Sequence, residues 1–574
     1  MSLSPYRRAF SVRFSSRIMP SRTTHFRQIK RPLLTQNEQA FTGRSFRSFA
    51  STSALCRVGV QEMGHDAELF EYSSGRWIYN ENLRLAQRRL IFNLAELMKA
   101  AADSINKPES DVKSIQKLAE GGFNRIFEIT MRDETSVLAR MPYPSTLPRR
   151  LAVASEVATM DFVRAHGVPT PRILGYAIGE NPVGSEYILM EKLPGRTIGD
   201  AWFDLSEQQR LQILHDIVKL ESKLFSIQLP ASGSIYYARD LEPDTPRVEI
   251  SGTDGQFCVG PYAELGWWYG KREKLEIDRG PHVDTLRALR APAEKELTWI
   301  REHGKPRYPC RRQYREAFNY MKQDPIVHAE SLQRYLHVAP HLIPTSPELN
   351  FPVLRHPDMQ PNNIFISENY RVTSLIDWQH ATALPTFLAA GIPNSFQNYG
   401  DAESRFFAPP RLPTNLDSLS ERLTQRFNQQ HWRALEEETD ILRRRIFDHA
   451  GEPWEGVNTA LQYDLVQVSQ NWDKIVPLDN DGTAPTCPVS FTQEEAERID
   501  ALDDLHRDAD GDVEKISELL GVASDGWTPE ERFESAMSKL AEIREQALAS
   551  VDDDPWLREM SERHWPFDDY DEDE

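Results

Sequence analysis

The hydrophobic and polar positions of the chain change period near residue 115. Over residues 76–101, apolar side chains recur every three or four positions, which is the spacing of an amphipathic helix. From residue 115 onward, apolar and polar residues alternate in short runs that are separated by turn residues. This alternation predicts three antiparallel strands, over residues 115–118, 126–131 and 136–141.

A helix and two further strands are predicted next. The helical period returns over residues 150–166 and stops at Gly167, a residue type that suits a helix C-terminal cap. Strand patterns follow at 173–178 and 187–191. Sheet, helix and sheet in close succession predict a small α+β lobe. After Pro194 the pattern becomes mostly helical, with predicted helices at 206–225, 418–449 and 492–547.

The chain of 574 residues is too long for a single hydrophobic core, so we expect two closely packed lobes. An insertion at about 230–345 is rich in proline and aromatic residues, and it could either line a substrate cleft or cover core. The predicted division is a targeting segment (1–60), a helical N-terminal extension (61–110), an N-terminal lobe (111–193), a C-terminal lobe with the insertion (194–550) and an acidic disordered tail (551–574).

Charge is distributed unevenly between the two ends of the chain. Residues 1–60 contain eleven basic residues and one acid, Glu38, which is the composition of a mitochondrial transit peptide. We expect cleavage between about residues 46 and 60; a disordered basic arm is the alternative reading. Residues 552–574 carry eleven acidic residues against two arginines, and such mutual repulsion disfavours folding.

Composition excludes several classes of protein. A net charge of -20 disfavours nucleic-acid binding, which requires clustered Lys and Arg. The four cysteines are scattered, which favours a reducing compartment over a disulfide framework or a zinc site. No run of about 18 apolar residues is present, so we expect no transmembrane segment.

Two neighbouring segments contain the sharpest chemical signal. In residues 353–366 an apolar run enters a polar loop that contains Asp358 and Asn363, and a second apolar run leaves it. A third apolar run ends at Asp377. Phosphoryl transfer needs a carboxylate that orients and deprotonates the attacking hydroxyl, and Asp358 fits this role. Asn363 and Asp377 supply the oxygen ligands that magnesium prefers.

These residues resemble a known family. The order His356-x-Asp358-x-x-Pro361-x-Asn363, followed by Asp377 before a tryptophan, is similar to the catalytic loop and metal-binding aspartate of aminoglycoside phosphotransferases. The resemblance implies a two-lobed, protein-kinase-like fold with an antiparallel sheet in the small lobe and a mostly helical large lobe. It also implies ATP and magnesium as cofactors, and an alcohol group as the phosphoryl acceptor.

The same resemblance assigns a nucleotide site to the N-terminal lobe. Gly121 and Gly122 lie in the turn between the first two predicted strands, where backbone amides could approach phosphates. Arg140 stands where this fold usually carries a phosphate-binding lysine, and Glu156 in the next helix could pair with it.

Residues 190–193 resemble the hinge between the lobes, so the adenine would bond to main-chain groups of Glu191 and Leu193. A narrower resemblance, to the fungal altered inheritance of mitochondria protein 9 group, covers about residues 66–550. It rests on the segments 75–77, 257–260, 268–270, 277–281 and 376–380. It implies a mitochondrial location and leaves the substrate and any protein partners open.

Two functions remain compatible with the sequence. The first is an ATP-dependent kinase that acts on a hydroxyl group of a small molecule, with a protein as the alternative acceptor, favoured by the intact Asp358, Asn363 and Asp377. The second is a catalytically weak or inactive pseudokinase with a nucleotide-binding or protein-interaction role in mitochondrial maintenance. Arg140, in place of lysine, favours the second function.

Overall fold

The computed structural model describes residues 58–59, 66–393, 416–436, 439–477 and 482–571. The predicted transit peptide therefore lies outside the described residues, apart from a short strand at its end. Among the described residues, no helix is long and apolar enough to cross a membrane.

The secondary structure is mixed. The strands are β1 Val58–Gly59, β2 Arg76–Trp77, β3 Val112–Glu120, β4 Asn124–Met131, β5 Ser136–Pro142, β6 Ile173–Ala177, β7 Tyr187–Glu191, β8 Arg196–Thr197, β9 Ser234–Tyr237, β10 Val248–Glu249, β11 Phe257–Gly260, β12 Pro352–Leu354, β13 Ile364–Ile366, β14 Val372–Leu375, β15 Ala383–Pro385 and β16 Trp527–Thr528.

The helices are α1 Asp66–Phe70, α2 Glu81–Arg88, α3 Leu94–Ser104, α4 Leu151–Ala165, α5 Glu207–Phe225, α6 Thr285–His303, α7 Pro325–Val338, α8 Thr386–Ala389, α9 Leu416–Phe427, α10 Gln429–Leu435, α11 Asp440–Gly451, α12 Thr459–Gln470, α13 Trp472–Ile475, α14 Gln493–Leu520, α15 Glu530–Ala549 and α16 Pro555–Arg563.

An antiparallel sheet, with α3 and α4 packed against it, forms the N-terminal lobe. The strand order is β1-β3-β4-β5-β7-β6, and every neighbouring pair is antiparallel. The helix predicted over 150–166 is α4, and its apolar residues Val157, Met160 and Val163 are buried. The α+β class and the antiparallel sheet predicted from the alternation are confirmed.

The single helix predicted over 76–101 is wrong. The chain forms β2, then α2, and breaks before α3. At the break Leu90 is 1% exposed, Ile91 57% and Phe92 6%, which is the alternation of an extended segment. The side chain of Asn93 accepts a hydrogen bond from the Glu96 amide and so starts α3. Ile91 points to solvent, whereas its neighbours Leu90 and Phe92 enter the core.

The disordered acidic tail predicted over 551–574 is also wrong for the described residues. Residues up to 571 are ordered, and α16 lies within them. Trp565 and Phe567 are buried against α14 and α15, and Nη1 of Arg312 donates to the Trp565 carbonyl oxygen at 2.7 Å. Burial of two large aromatic side chains offsets the repulsion between the acidic residues around them.

The C-terminal lobe is mostly helical, as predicted. Within the insertion, β9, β10 and β11 form a small sheet, and α6 and α7 follow it. The Trp267 ring is buried and stacks on Tyr262 with centroids 4.7 Å apart. These two aromatic residues of the insertion therefore belong to the core.

Candidate active site

The catalytic loop lies between β12 and β13. Asp358 lies in this loop, and a 3-10 turn over Pro361–Asn363 leads into β13. Nε2 of Gln360 and Nδ2 of Asn363 donate to Oδ2 of Asp358 at 2.6 and 3.0 Å. Burial and the neighbouring charge of Asp377 raise the pKa of Asp358 to about 7. A carboxyl group with such a pKa is suited to accept a proton near neutral pH.

His356 fixes the loop rather than transferring protons. Its Nε2 lies 2.9 Å from the Ile376 carbonyl oxygen, and its Nδ1 accepts a hydrogen bond from the Asp358 amide at 3.1 Å. Burial lowers the pKa of His356 to about 4, so the ring is neutral near pH 7. Both ring nitrogens therefore hold the backbone of the loop.

The hairpin of β13 and β14 brings Asn363 and Asp377 together. Ile364 pairs with Leu375, and the Ile376 amide donates to the Asn363 carbonyl oxygen at 3.0 Å. Asp377 follows with a φ of 67°, a left-handed conformation that is uncommon outside glycine. The strained residue is therefore held next to the catalytic loop, as is frequent at functional sites.

Arg140 connects the two lobes at the site. Its Nη2 donates to Oδ1 of Asp377 at 2.7 Å and to Oε1 of Gln379 at 2.8 Å, and its Nη1 bonds to Glu156 of α4. The predicted pairing of Arg140 with Glu156 is thus present. Burial raises the pKa of Asp377, but Arg140 outweighs burial and holds that pKa below its usual range.

Two residues that the sequence analysis did not assign complete this contact. The Asn124 and Gln379 side chains lie within hydrogen-bond distance, at 2.6 Å, and both lie against Arg140. Gln379 lies two residues after Asp377, within the segment 376–380 that carries the family resemblance, so its closeness to Asp377 could be predicted from the sequence. The contact of Asn124 with Gln379 could not be predicted from the sequence, because it depends on how the sheet packs on the large lobe.

The glycine turn joins β3 to β4. The Gly121 amide donates to the Asn124 carbonyl oxygen at 2.8 Å and closes the turn. A Cβ on Gly122 would meet no atom within 4 Å, so the missing side chain leaves open space beside the turn. Because Asn124 reaches Gln379, the turn lies over the segment that contains Asp377.

The predicted hinge follows β7. Glu191 ends the strand, and its amide donates to the Arg172 carbonyl oxygen at 3.1 Å. Leu193 lies two residues further, where the chain passes to the large lobe. A polar group lies beside the hinge, since Nζ of Lys192 donates to Glu128 at 2.7 Å and Gln116 donates to the same carboxylate at 3.0 Å. The contact of Lys192 with Glu128 joins residues far apart in the chain, so the sequence pattern does not predict it.

The donor set is compatible with magnesium. The searched residues, which exclude the undescribed segments, contain no group of three or more His, Cys, Asp or Glu side chains that could hold a metal ion. The site instead offers the carboxylates of Asp358 and Asp377 and the amide oxygen of Asn363. Magnesium is usually held by one or two carboxylates, with water and phosphate oxygens as its other ligands.

Comparison with known proteins identifies similar chains. Residues 114–385 match the profile described as the phosphotransferase enzyme family, APH. A subtelomeric hrmA-associated cluster protein of Aspergillus fumigatus is 30% identical over 515 residues, which cover 79% of this chain and 96% of that protein. The mitochondrial altered inheritance of mitochondria protein 9 of Saccharomyces cerevisiae is 24% identical over 530 residues, which cover 82% of this chain and 80% of that protein.

Solved structures of low similarity were also found. A ternary complex of streptomycin, ATP and APH(2")-IIa has a TM-score of 0.35 at 12% identity and covers 68% of this chain and 100% of its own. An ethanolamine kinase of Plasmodium vivax has a TM-score of 0.33 at 13% identity and covers 69% of this chain and 83% of its own.

The mitochondrial location predicted from the sequence is confirmed by relatives that are named as mitochondrial. The profile match includes both the glycine turn and the catalytic loop, and the Aspergillus relative is matched over almost its whole length. The chain belongs to the APH phosphotransferase enzyme family.

Proposed function

We propose that the protein is a magnesium- and ATP-dependent phosphotransferase that acts on a hydroxyl group of a small molecule in mitochondria. One observation carries the proposal: Asn363 donates to the Asp358 carboxylate, and its carbonyl oxygen accepts from the Ile376 amide, so Asp377 lies beside the two other residues. The location is taken from the mitochondrial relatives. The family match supports phosphoryl transfer and does not name the acceptor.

The residues divide the chemistry among them. Asp358 would accept the proton of the acceptor hydroxyl. The hydroxyl oxygen would attack the terminal phosphorus of ATP, and the bond between that phosphorus and ADP would break. The hydrogen bonds from Gln360 and Asn363 aim one carboxylate oxygen and leave the other to face the hydroxyl. Asn363 and Asp377 would hold magnesium, which neutralises the phosphate charge when it is bound.

The nucleotide would lie between the lobes. The open space beside Gly122 suits the approach of phosphates to the turn, and Arg140 supplies a positive charge beneath it. Main-chain groups of Glu191 and Leu193 would bond to the adenine, as in the hinge that they resemble.

Calorimetry with two variants tests the roles. Asp377→Ala should abolish magnesium-dependent ATP binding, because it removes a metal ligand. Asp358→Asn should bind ATP nearly as wild type and lose turnover, because the base acts on the acceptor and not on the nucleotide. If Asp358→Asn lost ATP binding as fully as Asp377→Ala, the two roles would be wrongly assigned.

A pseudokinase is the second candidate, and two observations favour it. Arg140 occupies Oδ1 of Asp377, an oxygen that a metal ion would otherwise contact. The ion pair of Lys192 with Glu128 places charged groups beside the hinge, where an adenine needs apolar contacts. ATP binding without turnover in wild type, with every acceptor offered, would favour this candidate.

A further inference from the structure

A segment from outside the kinase-like core contacts the glycine turn. We call residues 73–78 the strap. The Ser73 amide donates to Oε2 of Glu120 at 2.9 Å, and the hydroxyl groups of Ser73 and Ser74 donate to the same oxygen at 3.2 and 2.8 Å. Glu120 is the last residue of β3, so the strap holds the residue that leads into the turn.

The carboxylate of Glu120 is buried and fully bonded. Its side chain is 3% exposed, and Oε1 lies 2.8 Å from Nε of Arg125. Glu120 and Arg125 are register partners that flank the turn on β3 and β4. Arg125 in turn donates to the Leu69 carbonyl oxygen at 2.7 Å. Because a buried carboxylate that loses donors is costly, these bonds fix both sides of the turn.

The other end of the strap is attached to the C-terminal helices. β2 lies within the strap and pairs with β16 through Trp77 and Trp527. The indole Nε1 of Trp77 donates to Oδ2 of Asp525 at 2.8 Å. A Cβ on Gly75 would lie 2.4 Å from the Thr528 carbonyl oxygen, so the two backbones approach at a distance that requires glycine.

The C-terminal helices are held on the large lobe. The Tyr314 hydroxyl donates to Asp510 of α14 at 2.6 Å, and Arg312 donates to the Trp565 carbonyl oxygen at 2.7 Å. Contacts therefore run from the large lobe, through these helices and the strap, to the glycine turn. This path is separate from the hinge.

We propose that the strap positions the glycine turn, so that docking of α14 and α15 sets the affinity for the nucleotide. Glu120 is then a positioning residue, because it acts through the turn and faces the strap rather than the cleft. Residues on β16, remote from the cleft, thereby control phosphate binding. The part of the inference that concerns nucleotide affinity rests on the proposed function, whereas the positioning of the turn by the strap does not.

Gly75→Ala tests the strap without altering the lobe or the turn. The new methyl group collides with the Thr528 carbonyl oxygen and displaces the strap from β16. Gly511→Ala is the control, because it lies in α14 and its Cβ meets no atom within 4 Å. Two properties are measured on the full chain at a temperature where every variant is folded: amide hydrogen exchange of residues 121–124 without nucleotide, and the Kd for MgATP.

We expect Gly75→Ala to raise the exchange rate by about tenfold and the Kd by about fivefold, the scale of one or two lost hydrogen bonds. Gly511→Ala should change neither. Ser73→Ala/Ser74→Ala should reproduce the effect at the near end, whereas Ser74→Thr alone should retain wild-type values. Ser145→Ala, which removes a hydroxyl group bonded to Gln87 in the same lobe, is the control for the serine variants.

Unchanged exchange and unchanged Kd in Gly75→Ala and in the double serine variant would overturn the inference and leave the strap a purely structural element. A lower melting temperature with unchanged Kd would have the same meaning. If wild type binds no nucleotide at all, the proposed function fails, and the exchange of residues 121–124 alone decides whether the strap holds the turn.

Discussion

Replacement of Arg140 by methionine removes the side-chain bonds that join the two lobes at the site, and so tests how much they contribute to stability. Arg140 and Glu156 are 6% and 2% exposed, and the guanidinium group also bonds to Asp377 and Gln379. Arg140→Met keeps an unbranched apolar side chain, removes the guanidinium group and leaves the Glu156 carboxylate buried without that partner. Removal of one partner of a buried ion pair costs about 3–5 kcal/mol, and we expect a loss of that size in the free energy of unfolding.

The loss should depend on pH. Burial already raises the pKa of Glu156 from 4.5 to about 7 with Arg140 present. Without the guanidinium group that pKa rises further in the folded state, while it stays near 4.5 in the unfolded chain. The unfolded state then binds fewer protons than the folded state, so stability falls as the pH rises. The difference in the free energy of unfolding between the variant and wild type should therefore increase above pH 7.

Urea unfolding followed by tryptophan fluorescence measures the effect. Arg140→Met/Glu156→Leu should recover most of the lost stability, because an apolar pair of similar volume can replace a buried ion pair. Both variants should bind MgATP at least about tenfold more weakly, the scale of a lost bond to a charged group, whereas Arg140→Lys should bind it as wild type or better.

Arg433→Met is the matched control for these stability measurements. It removes an arginine from an exposed ion pair with Glu348 and should cost under about 1 kcal/mol. A loss of under 1 kcal/mol in Arg140→Met, or no recovery in the double variant, would refute the reasoning.

Three further predictions concern other parts of the chain. His449 pairs with the buried Asp464 at 2.6 Å, which raises its pKa from 6.5 to about 9; His449→Gln should cost up to about 3 kcal/mol below pH 6.5 and progressively less as the pH rises from 6.5 to 9, measured by urea unfolding. Trp565→Ala should destabilise α14 and α15 by about 3–5 kcal/mol, seen as lost hydrogen-exchange protection there. N-terminal sequencing of protein from mitochondria should find a start between residues 46 and 60; a start at Met1 would contradict the predicted transit peptide.

The catalytic loop could be predicted from the sequence because its residues are close along the chain. Asp358 and Asn363 share one loop, and a two-stranded hairpin returns Asp377 to their side. Local spacing and apolar flanks were therefore sufficient. The pairing of Arg140 with Glu156 was implied by the family resemblance, and the structure contains it.

Contacts between residues far apart in the chain could not be predicted in the same way. Trp77 pairs with Trp527 through strands of two residues each, too short to leave an alternating pattern. The burial of Trp565 depends on a core formed with α14, α15 and Ile78 of the strap. Charge counting alone suggested disorder there, because it gave no weight to the aromatic residues between the acids.

Phosphoryl transfer itself is the most direct test of the proposed function. Wild type and Asp358→Asn are incubated with magnesium, ATP labelled at the terminal phosphate and a small-molecule extract of mitochondria, and the products are separated by chromatography. The account predicts a labelled low-molecular-weight product that requires magnesium, is formed by wild type and is absent with Asp358→Asn. Label that remains in ATP and free phosphate with both proteins, although wild type binds MgATP, would contradict the account.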